Sequence, residues 1–320
     1  MRKFNELEFK SYLWKGQLHE AVSYLGKFHD KKDWFQKYIN IFENGQYYKR
    51  TDNKVIGDID KIYQNYYRNV FWMNIPNEDA KKLLLQELTI FCGIKSDLLK
   101  DDNIENEIEK IVKAEGYEYL GGYTSGFFGP YIWKNSTKVT YEVELPSGIE
   151  PYTIIMMDGF ISRSWLDFIS FGKTGTGGWV GKDGTLCCVR SSYDIESEKF
   201  NISFLKHEAQ HAYDKKRYLD ITTVDLEYRA KLVELIYWPD IEKIKTISSE
   251  ADNTNPDNGH SVAAYRIINE MSRKIFECEY VNDEKAWEDK VDNVKKYASE
   301  LLEESSKVLR LANVCLAHKY

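Results

Sequence analysis

No stretch of this chain approaches the eighteen or more apolar residues that a helix needs to span a bilayer, so no membrane-spanning helix is expected. The opening residues, Met1 to Glu8, also lack the apolar segment of a secretory signal, and a cytoplasmic protein is the expectation. Cysteine is scarce, five in 320 residues. Cys187 and Cys188 adjoin in an expected strand, while Cys92, Cys278 and Cys315 fall in expected helices. That arrangement provides neither a disulfide framework nor a Cys-x-x-Cys metal site, and reduced packing residues are expected. An excess of positive charge is missing too. With a formal net charge of −7 and no basic strip interleaved with aromatics, the chain has no nucleic-acid footprint. Internal repetition is weak: Leu13 to Ala21 resembles the first half of a helical hairpin repeat, but the period does not continue into residues 50 to 90.

The composition that remains, 42% apolar and 14% aromatic, is that of a folded globule with length for one large or two ordinary domains. Residues 1–115 read as a helical domain, a surface for a protein partner, and 116–320 as a second domain. Within the first, Asp58 to Trp72 and Asn77 to Phe91 are amphipathic helices. Lys100 to Lys113 is so charged that an exposed helix or connection is expected. In the second, Val139, Tyr141, Val143 and Leu145 alternate with polar residues, and Pro146 to Gly148 marks a turn before Tyr152 to Met157. This predicts a small antiparallel sheet. Phe171 to Gly181 is rich in glycine and forms either a hairpin connection or the rim of a groove. Its Gly172-Lys173-Thr174 is not a phosphate loop, because Asp167 stands where that pattern needs glycine. From Trp287 to Cys315 apolar and small residues recur at four and three, predicting a long C-terminal helix packed on its own domain or paired in a dimer.

The strongest pattern is His207-Glu208-Ala209-Gln210-His211. On a helix of 3.6 residues per turn the two imidazoles rise from one face, where both can reach a single ion at about 2.0–2.1 Å. Glu208 follows the first of them, in position to take a proton from water held at that ion. Ile202, Leu205, Ala209 and Ala212 supply an apolar stripe, with Asn201 or Ser203 as N-cap. A catalytic zinc site usually takes a third protein ligand. Thr223 to Trp238 reads as the helix to supply it, opened by Thr222 and stopped by Pro239. Glu227 and Glu234 share one of its faces but lie about 10 Å apart along the axis, so only one can bind. Glu227, Glu234 and Asp225 are the candidates.

Here the chain resembles the gluzincin zinc metallopeptidases, in which H-E-x-x-H is completed by a downstream E-x-x-A. Glu227-Tyr228-Arg229-Ala230 has that form, although its distance from His211 is shorter than in the best-known members. The metzincin pattern is absent, since no glycine and third histidine follow His211. The resemblance spans roughly Ser203 to Leu235. It implies an α+β fold, mostly helical, with a small antiparallel sheet ahead of a zincin-type active-site helix. It implies Zn²⁺ on His207, His211 and Glu227, with Glu208 as general base in hydrolysis of a peptide or protein substrate taken up along an exposed sheet edge. A donor to the oxyanion is expected from His260, Tyr265 or Tyr228, with His260 foremost. The alternative is a helical protein-interaction module with a structural or vestigial metal site.

Overall fold

A computed structural model describes residues 3–94, 101–181, 183–256 and 258–317. The fold is α+β and mostly helical. In chain order the helices α1 to α6 are Glu6–Trp14, Leu18–Leu25, Lys32–Tyr38, Lys54–Phe71, Asn77–Cys92 and Asp101–Ala114. Seven strands follow, β1 to β7: Glu118–Leu120, Tyr123–Thr124, Phe127–Phe128, Tyr131–Trp133, Asn135–Leu145, Gly148–Asp158 and Ser162–Arg163. Then come α7 (Ser164–Ile169), β8 (Gly178–Val180), β9 (Leu186–Val189) and the helices α8 to α13: Glu198–Phe200, His207–Arg217, Thr223–Tyr237, Glu242–Glu250, Gly259–Phe276 and Val291–Ala317. Among the described residues no helix is long and apolar enough to cross a membrane.

Two compact units divide the chain, one of residues 1–136 and 157–176, the other of 137–156 and 177–320. Residues 116–136 and 157–176, expected on sequence in the second domain, belong to the first unit. There β1 pairs antiparallel with β4, which pairs with β7, so this small sheet draws its flanking segments into one core. The helices around it bury aromatic faces. Asn53 caps α4 by accepting from the amide of Ile56 at 3.0 Å, and Ile59, Tyr63 and Tyr67 along that helix are fully buried. α6 is not the exposed segment its charge suggested. Ile104, Ile108 and Val112, at spacings of four, bury a stripe, while Glu105 accepts from the hydroxyl of buried Tyr119 at 2.9 Å. Residues 95–100 lie outside the described residues.

The second unit carries a four-stranded sheet of order β5, β6, β9, β8, with β8 and β9 antiparallel. Val143 and Leu145 of β5 are buried, whereas Val139 of the same alternation is exposed and Tyr141 half-buried, and Gly148 turns the chain into β6 at φ +128°. β8 is an edge strand and arises from the glycine-rich stretch. Its glycine is needed for packing: a Cβ at Gly178 would come 2.3 Å from the Phe204 ring and 2.5 Å from the Cys187 carbonyl oxygen. Since one obstacle is backbone, Gly178→Ala should cost about 1–3 kcal/mol, read as a lower urea midpoint; an unchanged midpoint would refute the steric argument. α13 packs on α10 and α12 through Val294, Ala298 and Leu301, so most of its heptad face lies against its own unit. The side chain of Cys315 lies outside the described residues, as does His318, and Cys278 sits past the end of α12 rather than on it.

Candidate metal centre

The helix that carries His207 and His211 begins earlier than expected and less regularly. Ser197, not Asn201 or Ser203, is the N-cap: its Oγ accepts from the amide of Phe200 at 3.2 Å. Ser203 is engaged elsewhere, receiving Lys243 Nζ at 2.8 Å. Between α8 and α9, Asn201–Lys206 forms a π-helical turn, a widened geometry common beside functional sites. α9 then holds both imidazoles on one face with the rings edge to face, centroids 4.6 Å apart. α10 is capped by Thr222, whose hydroxyl accepts from the amide of Asp225 at 3.0 Å.

Both site helices are locked by a buried clasp. Arg229 donates through Nε and Nη2 to the two carboxylate oxygens of Asp214 at 2.8 and 3.0 Å. Its Nη1 reaches the hydroxyls of Ser305 and Ser306 on α13. Gln210 Nε2 donates to the same aspartate at 2.9 Å. Neither charge reaches water, so they depend on each other and on these polar neighbours. Ala230, fully buried, keeps the helix contact close. Removing one charge with Asp214→Ala should cost about 3–5 kcal/mol of stability, seen as a lowered thermal midpoint; a loss below 1 kcal/mol would show the clasp to be idle.

Within this frame His207, His211 and Glu227 converge. One ligand-capable atom from each lies within 4.8 Å of the others, and all three residues are buried. Glu227 Oε1 stands 3.3 Å from His211 Nε2, and its Oε2 stands 3.6 Å from His207 Nε2. Asp225 takes no part, being engaged by Arg266 Nη1 at 3.1 Å. Glu234 is placed differently from its rival. Its Oε1 lies 2.8 Å from His207 Nδ1, and its other oxygen meets Lys243. A carboxylate on Nδ1 fixes the ring and leaves Nε2 available to coordinate, the arrangement usual behind a metal-binding histidine. Glu234 thus has the position of an orienting group behind His207. His211 Nδ1 is buried without a partner.

Electrostatics follow from this crowding. Burial opposes ionisation of Glu227, yet His211, His260 and His207 hold its carboxyl well below the usual range. Burial likewise opposes ionisation of Glu234, while Lys243 and His207 bring it down to about 2. For His207 burial favours the neutral ring, but Glu234 and then Glu227 and Glu208 raise its pKa above 6.5. Without metal, the His207 share of stability is therefore complete below pH 6.5 and is lost as pH rises through the raised value. The Glu227 share is complete above 4.5 and is lost as pH falls through the depressed one. In chelator-treated protein the thermal midpoint gap between wild type and His207→Gln should shrink from pH 6 to pH 9. A gap independent of pH would contradict it.

Glu208, partly exposed, lies toward the β9 side of α9. Burial chiefly pushes the Cys187 and Cys188 thiols up to about 11 and about 12, and the Glu208 charge adds to both. It adds also to the raised phenol of Tyr193, a residue the motif gave no reason to choose. His260 is the second residue of α12, after the cap Asn258 and Gly259, and its Nδ1 lies 2.8 Å from Glu227 Oε2. The ring is 66% exposed. The other expected oxyanion donors are elsewhere: Tyr228 donates to Glu270, and Tyr265 stacks on Tyr280. Searches with the chain against protein-family models, curated proteins and solved structures found no match.

Proposed function

We propose that this chain is a zinc-dependent peptidase of the gluzincin kind, with His207, His211 and Glu227 as ligands and Glu208 as general base. The convergence of two imidazoles and one buried carboxylate, next to a glutamate with solvent access, carries the reading. Two neutral nitrogens and one carboxylate oxygen suit zinc, and the depressed Glu227 pKa keeps that oxygen unprotonated. When bound, zinc supplies Lewis acidity that makes water a nucleophile near neutral pH and polarises the peptide carbonyl. Glu208 accepts the proton of the attacking water on its carboxylate and passes it to the leaving amine. Glu234 holds His207 through Nδ1. His260, whose Nδ1 donates to Glu227, can donate to the oxyanion from Nε2 only as the imidazolium, which carries a proton on both nitrogens.

Substrate would add as a strand to the edge of β8, its backbone bonding to Gly178–Val180 beside α9. The test is metal analysis of purified protein with cleavage of an unbiased peptide library. The expected result is about one zinc per chain and cleavage that stops on chelation and returns with zinc. Protein that retains no divalent metal after dialysis would overturn the reading.

A further inference from the structure

A cavity of about 520 Å³ opens at the far end of α9, lined among others by Tyr152, Val180, Gly181, Ala212, Lys215 and Lys216. That volume suits a side chain together with its flanking backbone. Its acidic lining groups are already engaged. Asp183 accepts from the Thr185 amide at 3.0 Å and from the Thr185 hydroxyl at 2.8 Å, and Glu150 pairs with Arg217 at 2.7 Å. Lys215 and Lys216 are exposed, and among the described residues neither has an ion-pair partner. Tyr152 is buried, with the Glu150 carboxylate beside its hydroxyl. The groups left without a partner are thus two ammonium ions, complementary to an anion.

Position relates this cavity to the metal centre. Gly178, at the start of β8, packs on Phe204 just before α9; Val180 and Gly181, at its end, share the cavity with Ala212 and Lys216. Strand and helix therefore run the same way. Ala212 and Lys215 continue the helix face of Glu208 by one and two turns. Glu208 and Lys215, seven residues apart, are separated by about 10 Å along the axis, the span of about three residues of extended peptide.

We infer that the cavity is a carboxylate-binding subsite that selects peptides carrying an acidic group about three residues from the bond cleaved. Its placement relative to that bond rests on the peptidase reading; its affinity for carboxylate does not. The test is calorimetric titration of full-length, zinc-loaded Glu208→Gln protein with blocked hexapeptides differing only in one Glu or Gln. The Glu peptide should bind about tenfold more tightly, the size expected of a charge-assisted contact near solvent. The preference should vanish when Lys215→Gln and Lys216→Gln are combined, two exposed changes with little effect on folding. A Gln peptide with a free C-terminus separates the two carboxylate sources: binding like the Glu peptide assigns the subsite to chain ends, and binding like the blocked Gln peptide to side chains. Equal affinity for all peptides, no binding, or a preference that survives the double substitution overturns the inference. If the Glu peptide binds but wild-type protein leaves it uncut, the subsite stands and the peptidase reading falls.

Discussion

Replacing Glu208 with Gln should leave zinc bound and lower peptide cleavage by roughly 10²–10⁴-fold, the usual contribution of a positioned general base. Volume and hydrogen-bonding reach are nearly kept, so the loss isolates the proton-accepting oxygen. Among the described residues Glu208 makes no hydrogen bond or ion pair to the candidate ligands: the clasp of Asp214 and Arg229 fixes the helices, and Glu234 fixes His207. Metal content and thermal midpoint should accordingly match wild type. Cleavage that persists within about threefold of wild type would remove Glu208 from the mechanism. Loss of zinc together with activity would instead make Glu208 part of the metal-holding structure.

The second large effect separates Glu227 from Glu234. Glu227→Ala removes a proposed ligand, and zinc should be lost on dialysis. Glu234→Ala removes an outer partner, for which a roughly 10–100-fold fall in metal affinity is expected, with zinc still bound at micromolar excess. The two should also differ in stability. Without Glu234 the half-buried Lys243 loses its counter-charge, and His207 loses the acceptor on Nδ1. Glu234→Gln, which can still accept at that nitrogen, should recover much of the affinity. If Glu234→Ala emptied the site and Glu227→Ala did not, the two roles would have to be exchanged.

Local periodicity carries what was readable before the fold was known. His207 and His211 share a face because they are four apart on a helix, and β5 buries Val143 and Leu145 because they are two apart on a strand. What was hidden depends on how elements cross. Nothing local says that Glu234 reaches an imidazole 27 residues back rather than a metal, or that Arg229 meets Asp214. Those pairings follow from the approach of α9 and α10, to which Ala230 was a pointer without direction. Charge misled at α6, where the polar residues so outnumber Ile104, Ile108 and Val112 that the buried stripe passes for an accident. The glycine-rich stretch concealed its edge strand, since β8 is only three residues long and its glycine answers to Phe204 rather than to a turn.

The wide turn at Asn201–Lys206 has a consequence for how this chain tolerates change in length. A π turn houses one residue more than an ordinary helical turn covering the same path. Shortening that segment by one lets a regular helix bridge from Ser197 to the first imidazole with the ring unmoved. The same deletion between His207 and His211 would swing the second ring by about 100° around the axis. Loss of a single residue is thus absorbed just upstream of the candidate metal centre and ruinous within it.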